Sequence, residues 1–498
     1  MSAPLSVELE DIQGLVSFGY KHHTEAAFLL LRVRDGGIEE ARRWLRTVSV
    51  STSEKVESPP ETALQIAFTS DGMRALGVPD SIVEGFSDEF VTGMGQDANQ
   101  ARRLGDVGAN DPARWLWGAG ARVPHAAVLL YALPGRLAEF QRWVEAQCQP
   151  GFELMACLAT SNLDDVEPFG FTDGISQPRL DWERRRPARD AEQPAYTNLS
   201  CLGEYLLGYP NEYGGYTDRP LLDPTGAAAS LPRAEDDPSR ADLGRNGSYL
   251  VLRQLGQDVH GFWRFVDRAA GGDAARRERL ASAMVGRTRE GDSLVGGNDE
   301  KIEGGDPPGG KNAFTYRSDP HGLRCPFGAH VRRSNPRNAD LPPGPPGILS
   351  WAKRTLGFDA GARERDLVAS TRFHRLLRRG REYGPCVPVE QAIAQPGGGE
   401  QPGLHFICLG ANLARQFEFV QNAWAMGLHF EGLPGESDPL LGTRAAAPDG
   451  TPTDGFSIQR ADGPDERVTG LPQFVTVLGG AYFFLPGIRA LRFLATPR

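Results

Sequence analysis

The segment "FGFTDGISQP", Phe169–Pro178, sets one carboxylate, Asp173, between two glycines and beside two phenylalanines. An Asp–Gly pair ordinarily marks a tight turn. Wrapped in apolar side chains, such a turn is either a buried corner or a device that holds a carboxylate where it can take and return a proton. A second segment, "CPFGAHVRRSNPR" (Cys325–Arg337), places His330 after an apolar run and before Arg332, Arg333 and Arg337. A neutral imidazole can ligate a metal while guanidinium groups bind an anionic edge. Haem asks for both, an axial ligand for iron and partners for its two propionates. The same spacing also reads as a basic surface patch with an incidental histidine. A third segment, "TRFHRLLRRGREYGP" (Thr371–Pro385), carries His374 and, after two leucines, Arg378 and Arg379. An arginine leaving an apolar run could be buried and paired, and could stabilise negative charge as an O–O bond breaks. Equally, these arginines could complement the dipole of a helix ending at Gly380. Among the other histidines, His22 and His23 read as solvated, and His260 and His405 as packing residues.

Four stretches could position these groups. Ala26–Val48, Ala126–Gln147, Ser248–Ala269 and Leu404–Trp424 each join an apolar β-type run to a segment with helical spacing, as in Leu137, Phe140, Trp143 and Val144. Ala63–Phe68, Phe152–Leu158 and Phe474–Pro486 supply further strands. Two such units in each half predict a duplicated α+β arrangement of ferredoxin-like type. A polar, Pro/Gly-rich connection, about Asp181–Asn246, separates the halves. Long loops over Gly286–Asn312 and Asn338–Asp366 lack periodicity and read as functional or disordered.

The composition excludes several classes. A net charge of −10 argues against general nucleic-acid binding, which needs a basic face. No apolar window is long enough to span a membrane. The six cysteines form no CxxC pair, so neither a zinc site nor a disulfide framework is expected, and a reducing compartment fits. The N-terminus lacks the basic start and apolar run of a signal peptide. Together these readings predict a soluble, cytoplasmic protein. Nothing in the sequence dictates an oligomeric state.

Taken together, the three segments resemble the dye-decolorising peroxidase family of haem enzymes, in its longer members, along nearly the whole chain. "DIQG" (Asp11–Gly14) resembles the family's opening motif. "GFTDG" (Gly170–Gly174), continued by "ISQP", matches its GxxDG signature. "GEYLLGYPNEYG" (Gly203–Gly214), the His330 segment, "RLLRRGREYGP", "GLHFICLGANLARQFEFVQ", "SDPLLG" and "FVTVLGGAYFFLP" follow in family order. The resemblance implies two ferredoxin-like domains, 1–215 and 216–498, each an antiparallel sheet with peripheral helices, and haem b (iron protoporphyrin IX) in the C-terminal half. It implies His330 as iron ligand, Asp173 as distal acid/base, Arg378 rather than Arg379 as distal arginine, and Asp438 as acceptor of the His330 ring N–H. Arg337 and Arg332 would face propionates, Leu404 and Phe406 would line the distal pocket, and Gly174 and Ile175 would lie beside the haem.

The implied activity is reduction of hydrogen peroxide, with Asp173 and Arg378 assisting heterolysis to a ferryl porphyrin radical. Organic donors such as dyes and phenols would return electrons, bulky ones through surface aromatics such as Trp351 or Tyr383. Mildly acidic pH would suit this chemistry. The connection from His330 to Arg378 is longer than the family pattern, which would reshape the access route. A haem-handling protein with incidental peroxidase activity, and a haem-free anion binder, are the competing readings.

Overall fold

The computed structural model describes residues 6–185, 196–296, 301–302, 304–337, 371–447 and 449–497. Trp351 and most of the connection between His330 and Arg378 lie outside the described residues. The first half runs β1 (Glu25–Val33), α1 (Ile38–Thr47), β2 (Thr62–Phe68), β3 (Ala126–Ala132), α2 (Leu137–Cys148) and β4 (Phe152–Ala159). The second runs β5 (Ser248–Gln257), α3 (Val259–Ala269), α4 (Ala274–Val285), α5 (His330–Ser334), β6 (Leu377–Arg378), β7 (Arg381–Tyr383), β8 (Gly403–Gly410) and β9 (Val475–Leu485). Helical turns over Ala414–Glu418 and Val420–Ala425 lie between β8 and β9. The four strand–helix stretches read from the sequence are all present.

Each half orders its strands alike. The first reads β2-β3-β1-β4 and the second β9-β5-β8-β6, with β7 also on β8, and all pairings are antiparallel. The halves join edge to edge where Phe484 of β9 pairs with Phe68 of β2, making one nine-stranded sheet. Its far edges also meet. His405 on β8 hydrogen-bonds the Ala159 carbonyl through Nε2 (3.0 Å), and the Ser161 amide donates to the Glu382 carbonyl (2.8 Å).

Except on the edge strand β4, both faces of the long strands are buried, so their runs are nearly continuously apolar. Alternation still decides which side each residue serves. Phe28, Leu30, Leu129, Tyr131, Ile407 and Phe483 fill the interior between the halves. Leu29, Val128, Leu130, Val251 and Cys408 face outward to the helices. Along β8 this leaves Leu404 and Phe406 on the outer face, where they border a cavity. Helix α3 covers that face with Val259, Phe262, Trp263 and Val266, an i, i+3, i+4, i+7 stripe. Its N-cap, Asp258, accepts from the Gly261 amide at 2.8 Å.

Among the described residues, no helix is long and apolar enough to cross a membrane. All six cysteines are free thiols. His23 is buried, with Nε2 2.7 Å from the Pro60 carbonyl, because the N-terminal segment folds back over β2. Tyr383 is also buried. It stacks on His405 and donates to the Leu255 carbonyl, so it offers no surface for a bulky donor.

Candidate active site

A cavity of about 270 Å³ lies between the outer sheet face and α5 with the 414–425 turns. Asp173, Ile175, Arg378, Leu404, Phe406 and His330 all line it, although they are spread over more than 230 positions of the chain. Asp173 arrives on the loop after β4. Gly170 (φ +95°) and Gly174 (φ +72°) take left-handed backbone that a side chain would strain. Phe169 packs at a tilt against Phe262, Phe171 lies parallel to Trp263, and the Trp263 indole donates to the Phe169 carbonyl at 3.0 Å. The aromatics of the motif thus anchor the loop to α3. Burying each is worth about 2 kcal/mol. The Asp173 amide donates to the Asp165 carbonyl (2.8 Å), fixing the carboxylate's exit from the loop.

Arg378 Nη1 donates to Asp173 Oδ1 at 2.9 Å. Its amide donates to Gln177 Oε1 and its Nη2 to the Ser176 carbonyl, so the guanidinium is held to the loop it serves. Arg378 sits on a strand paired with Cys408, not on a helix end. Strand alternation sends Arg379 the other way, where it donates to the Leu15 and Val16 carbonyls. Burial works to raise the Asp173 carboxyl, but Arg378, the Gly174 amide and His330 together hold it below the usual carboxylate range.

On the opposite wall His330 opens α5. Its Nδ1 lies 2.8 Å from Asp438 Oδ2, while Oδ1 of the same carboxylate accepts the Leu440 and Leu441 amides at 2.8 and 2.9 Å. A carboxylate this well held fixes the tautomer with the proton on Nδ1 and leaves Nε2 as a donor atom. Burial alone would lower the imidazolium, yet Asp438 raises it above its ordinary value. Burial alone would raise Asp438, yet His330 and the backbone amides hold it low. Arg333, fully buried, ties α5 to the Asp438 loop by donating to the Trp424, Gly427 and Glu436 carbonyls.

The two arginines expected to face propionates stand apart from the cavity lining. Arg332 does not line the cavity. Its guanidinium is buried against Asp319 (3.0 Å) and the Cys325 carbonyl, between the rings of Tyr316 and Phe327. Helical geometry turns it away, because two residues on from His330 is the far side of the turn. Arg337 also stands behind the wall, donating to the Phe314 carbonyl and Asn312 over the Phe314 ring. Gly174 and Asp438 contribute from just outside the lining. Arg375 and Arg287 line the cavity instead, both buried and without a carboxylate partner among the described residues. Arg375 reaches Ser200 Oγ at 3.2 Å and leaves Nε unpartnered. Arg287 bonds the Gly291 and Lys311 carbonyls, and burial with Arg337 nearby pushes it down to about 10. Arg375 is legible in the sequence only as part of the "TRFHR" run. Arg287 opens an aperiodic loop and carries no signal. His374 also lines the cavity, stacked on Phe419 with Nδ1 against the Arg415 carbonyl.

A nitrogen donor on one wall, an acid–arginine pair on another, apolar sides and two arginines without a carboxylate partner among the described residues suit a flat, apolar, metal-bearing group with anionic arms.

No protein-family model matches the chain. It is 28% identical over 507 residues to the multifunctional dye peroxidase DyP2 of an Amycolatopsis species, covering 98% of this chain and 94% of that one. It is 26% identical to the dye-decolorizing peroxidase AauDyP1 of Auricularia auricula-judae, over 98% and 87% of the two chains. A solved fungal DyP-type peroxidase from Auricularia auricula-judae superposes with a TM-score of 0.70 at 25% identity, over 99% of this chain and 100% of that one. The Anabaena DyP-type peroxidase shares the fold, with a TM-score of 0.69 at 21% identity over 98% and 94%. Along nearly its whole length, in sequence and in fold, the chain is similar to the dye-decolorising peroxidases, and these relatives support an enzyme of that type.

Proposed function

We propose that the protein is a haem b peroxidase that reduces hydrogen peroxide and oxidises organic donors, dyes and phenols among them. The observation that carries this reading is the shared cavity of an Asp438-bound His330 and an Asp173–Arg378 pair. The donor set fits the group. His330 Nε2 would hold iron, Arg375 and Arg287 would meet the propionates with Arg337 behind them, and Leu404, Phe406 and Ile175 would pack on the ring. When bound, haem would supply the iron site for peroxide and the redox chemistry.

The rest belongs to this chain's own groups. Arg378 holds Asp173 Oδ1, leaving Oδ2 to take a proton from one peroxide oxygen and return it to the other, which leaves as water. The Arg378 guanidinium offsets the negative charge that develops as the O–O bond breaks. Asp438 keeps the Nδ1 proton of His330 in place and strengthens Nε2 as a donor. The apolar residues exclude water, so these charges act in a low dielectric.

The strand order repeated in both halves supports two ferredoxin-like units, 1–215 and 216–498, with the haem in the second. The six free thiols support a cytoplasmic setting. The reading is tested on the purified protein by its Soret band and by dye oxidation dependent on hydrogen peroxide. A haem-loaded protein that turns over no donor would remove the peroxidase reading, and a protein that binds no haem would remove the cofactor.

Two further outcomes follow. Asp438→Asn is expected to weaken iron ligation and activity about 10- to 100-fold, seen as a changed ferric spectrum and partial haem loss at unchanged fold. Because Asp173 is held below its ordinary 3.8, its base form persists at mildly acidic pH. The rate of reaction with peroxide is therefore expected to survive through the mildly acidic range, a partial step near neutrality aside, and to collapse only as pH drops through that lowered value. A stopped-flow pH profile that collapses above the ordinary carboxylate range would contradict the Asp173–Arg378 coupling.

A further inference from the structure

Two carboxylates, Asp173 and Glu167, are the only ones among the described residues that line the cavity, and the chemistry above uses one. Glu167 stands six residues before Asp173, where the loop begins. Its Oε2 accepts the Phe169 amide (3.0 Å) and its Oε1 the Phe171 amide (3.1 Å). Its carbonyl accepts the Gly170 amide and its amide donates to the Phe171 carbonyl. Gln257 Nε2, from β5, donates to Oε2 at 2.8 Å and ties the carboxylate to the sheet. The approach to Asp173 is therefore bonded at Phe169 and Phe171 to one side chain, which is itself anchored to β5, one of the two inner strands of the second half. We infer that Glu167 is a positioning residue for Asp173, the hub on which the acid/base loop is folded and registered against the sheet. This rests on the peroxidase reading of the site.

Gln257 adds a second feature. Its Oε1 is buried and unpartnered. Burial pushes the Glu167 carboxyl up to about 7, against the pull of its hydrogen bonds. When Glu167 is protonated, a half-turn of the Gln257 amide brings Oε1 to accept the new O–H, so the pair stays bonded in both states. The ionised state holds the loop amides more tightly, since charge-assisted hydrogen bonds are the stronger ones. The charged groups around it are Asp173 on the same loop, the Arg253–Asp106 pair on the same face of β5, and Arg289, which donates to the Gly170 carbonyl.

The test uses the haem-loaded protein and three variants, Glu167→Ala, Glu167→Gln and Gln257→Leu. Amide hydrogen exchange over residues 168–174 is expected to rise about tenfold in Glu167→Ala and less in Glu167→Gln, which retains one acceptor. The rate of reaction with peroxide is expected to fall about 10²-fold and about tenfold respectively, with haem content and the ferric spectrum unchanged. In the wild type, protection of 168–174 increases from about a unit below to about a unit above the Glu167 value of about 7, and Glu167→Gln abolishes this increase. Unchanged exchange, or unchanged peroxide rates, in both Glu167 variants would overturn the inference. Should those chains not fold, Gln257→Leu carries the test, with a severalfold change in the same directions expected and wild-type behaviour overturning it. If the wild type held no haem, the peroxidase reading would fall while the exchange data still decided whether Glu167 is the hub.

Discussion

Asp173→Asn is expected to slow the reaction with hydrogen peroxide by about 10²- to 10⁴-fold, the usual weight of a positioned acid/base. The substitution keeps size and shape. The amide oxygen it introduces can still accept from Arg378 Nη1, so the 2.9 Å contact survives. The loop anchors, made by Phe169, Phe171 and backbone atoms, are untouched. What disappears is the capacity to hold a proton between its removal from one oxygen and its delivery to the other. The loss should therefore fall on the peroxide step alone, with haem content, ferric spectrum and later donor oxidation unaffected. Stopped-flow absorbance at the Soret band measures it. An undiminished rate would remove Asp173 from the mechanism and return the whole task to Arg378.

His330→Ala is expected to abolish the native ferric spectrum, because the other histidine lining the cavity among the described residues, His374, is stacked on Phe419 with Nδ1 against the Arg415 carbonyl and not on the Asp438 carboxylate. The same change strips Asp438 of its Nδ1–H hydrogen-bond donor while leaving it almost fully buried. Its two amide bonds remain, so the cost in stability is about 3 kcal/mol, the low end for breaking a buried pair. Urea unfolding of the two proteins checks this. Added imidazole has room to enter and is expected to restore part of the spectrum, separating loss of a ligand from loss of the fold. A native spectrum in the variant would mean that another residue holds the iron.

Much of this is legible in the chain. The strand–helix units can be read because their apolar runs are long and their helical stripes regular, so local periodicity and tertiary burial agree. Asp173, His330 and Asp438 sit in segments whose types announce a function once the resemblance is seen. The cationic wall is not legible. Arg332 and Arg337 are close to His330 in sequence, but a helical turn and the backbone after it carry their guanidiniums behind the cavity. Arg375 and Arg287 come from elsewhere, with nothing local to mark them. Arg378 is open to a helix-end reading because short hairpin strands have no periodicity to recognise.

By itself the sequence determined the four strand–helix units and the chemical vocabulary of the site. Those depend on spacing within a few residues, and backbone geometry sets that spacing. Only the tertiary structure decided which groups meet. Strand pairing between β6 and β8 brings Arg378 to Asp173, and the fold of the 414–442 region brings Asp438 to His330. Glu167 shows the division most plainly. In the chain it is an acid before a proline. In the fold its two oxygens gather two amides and a glutamine from a distant strand, because burial leaves those donors no water to turn to.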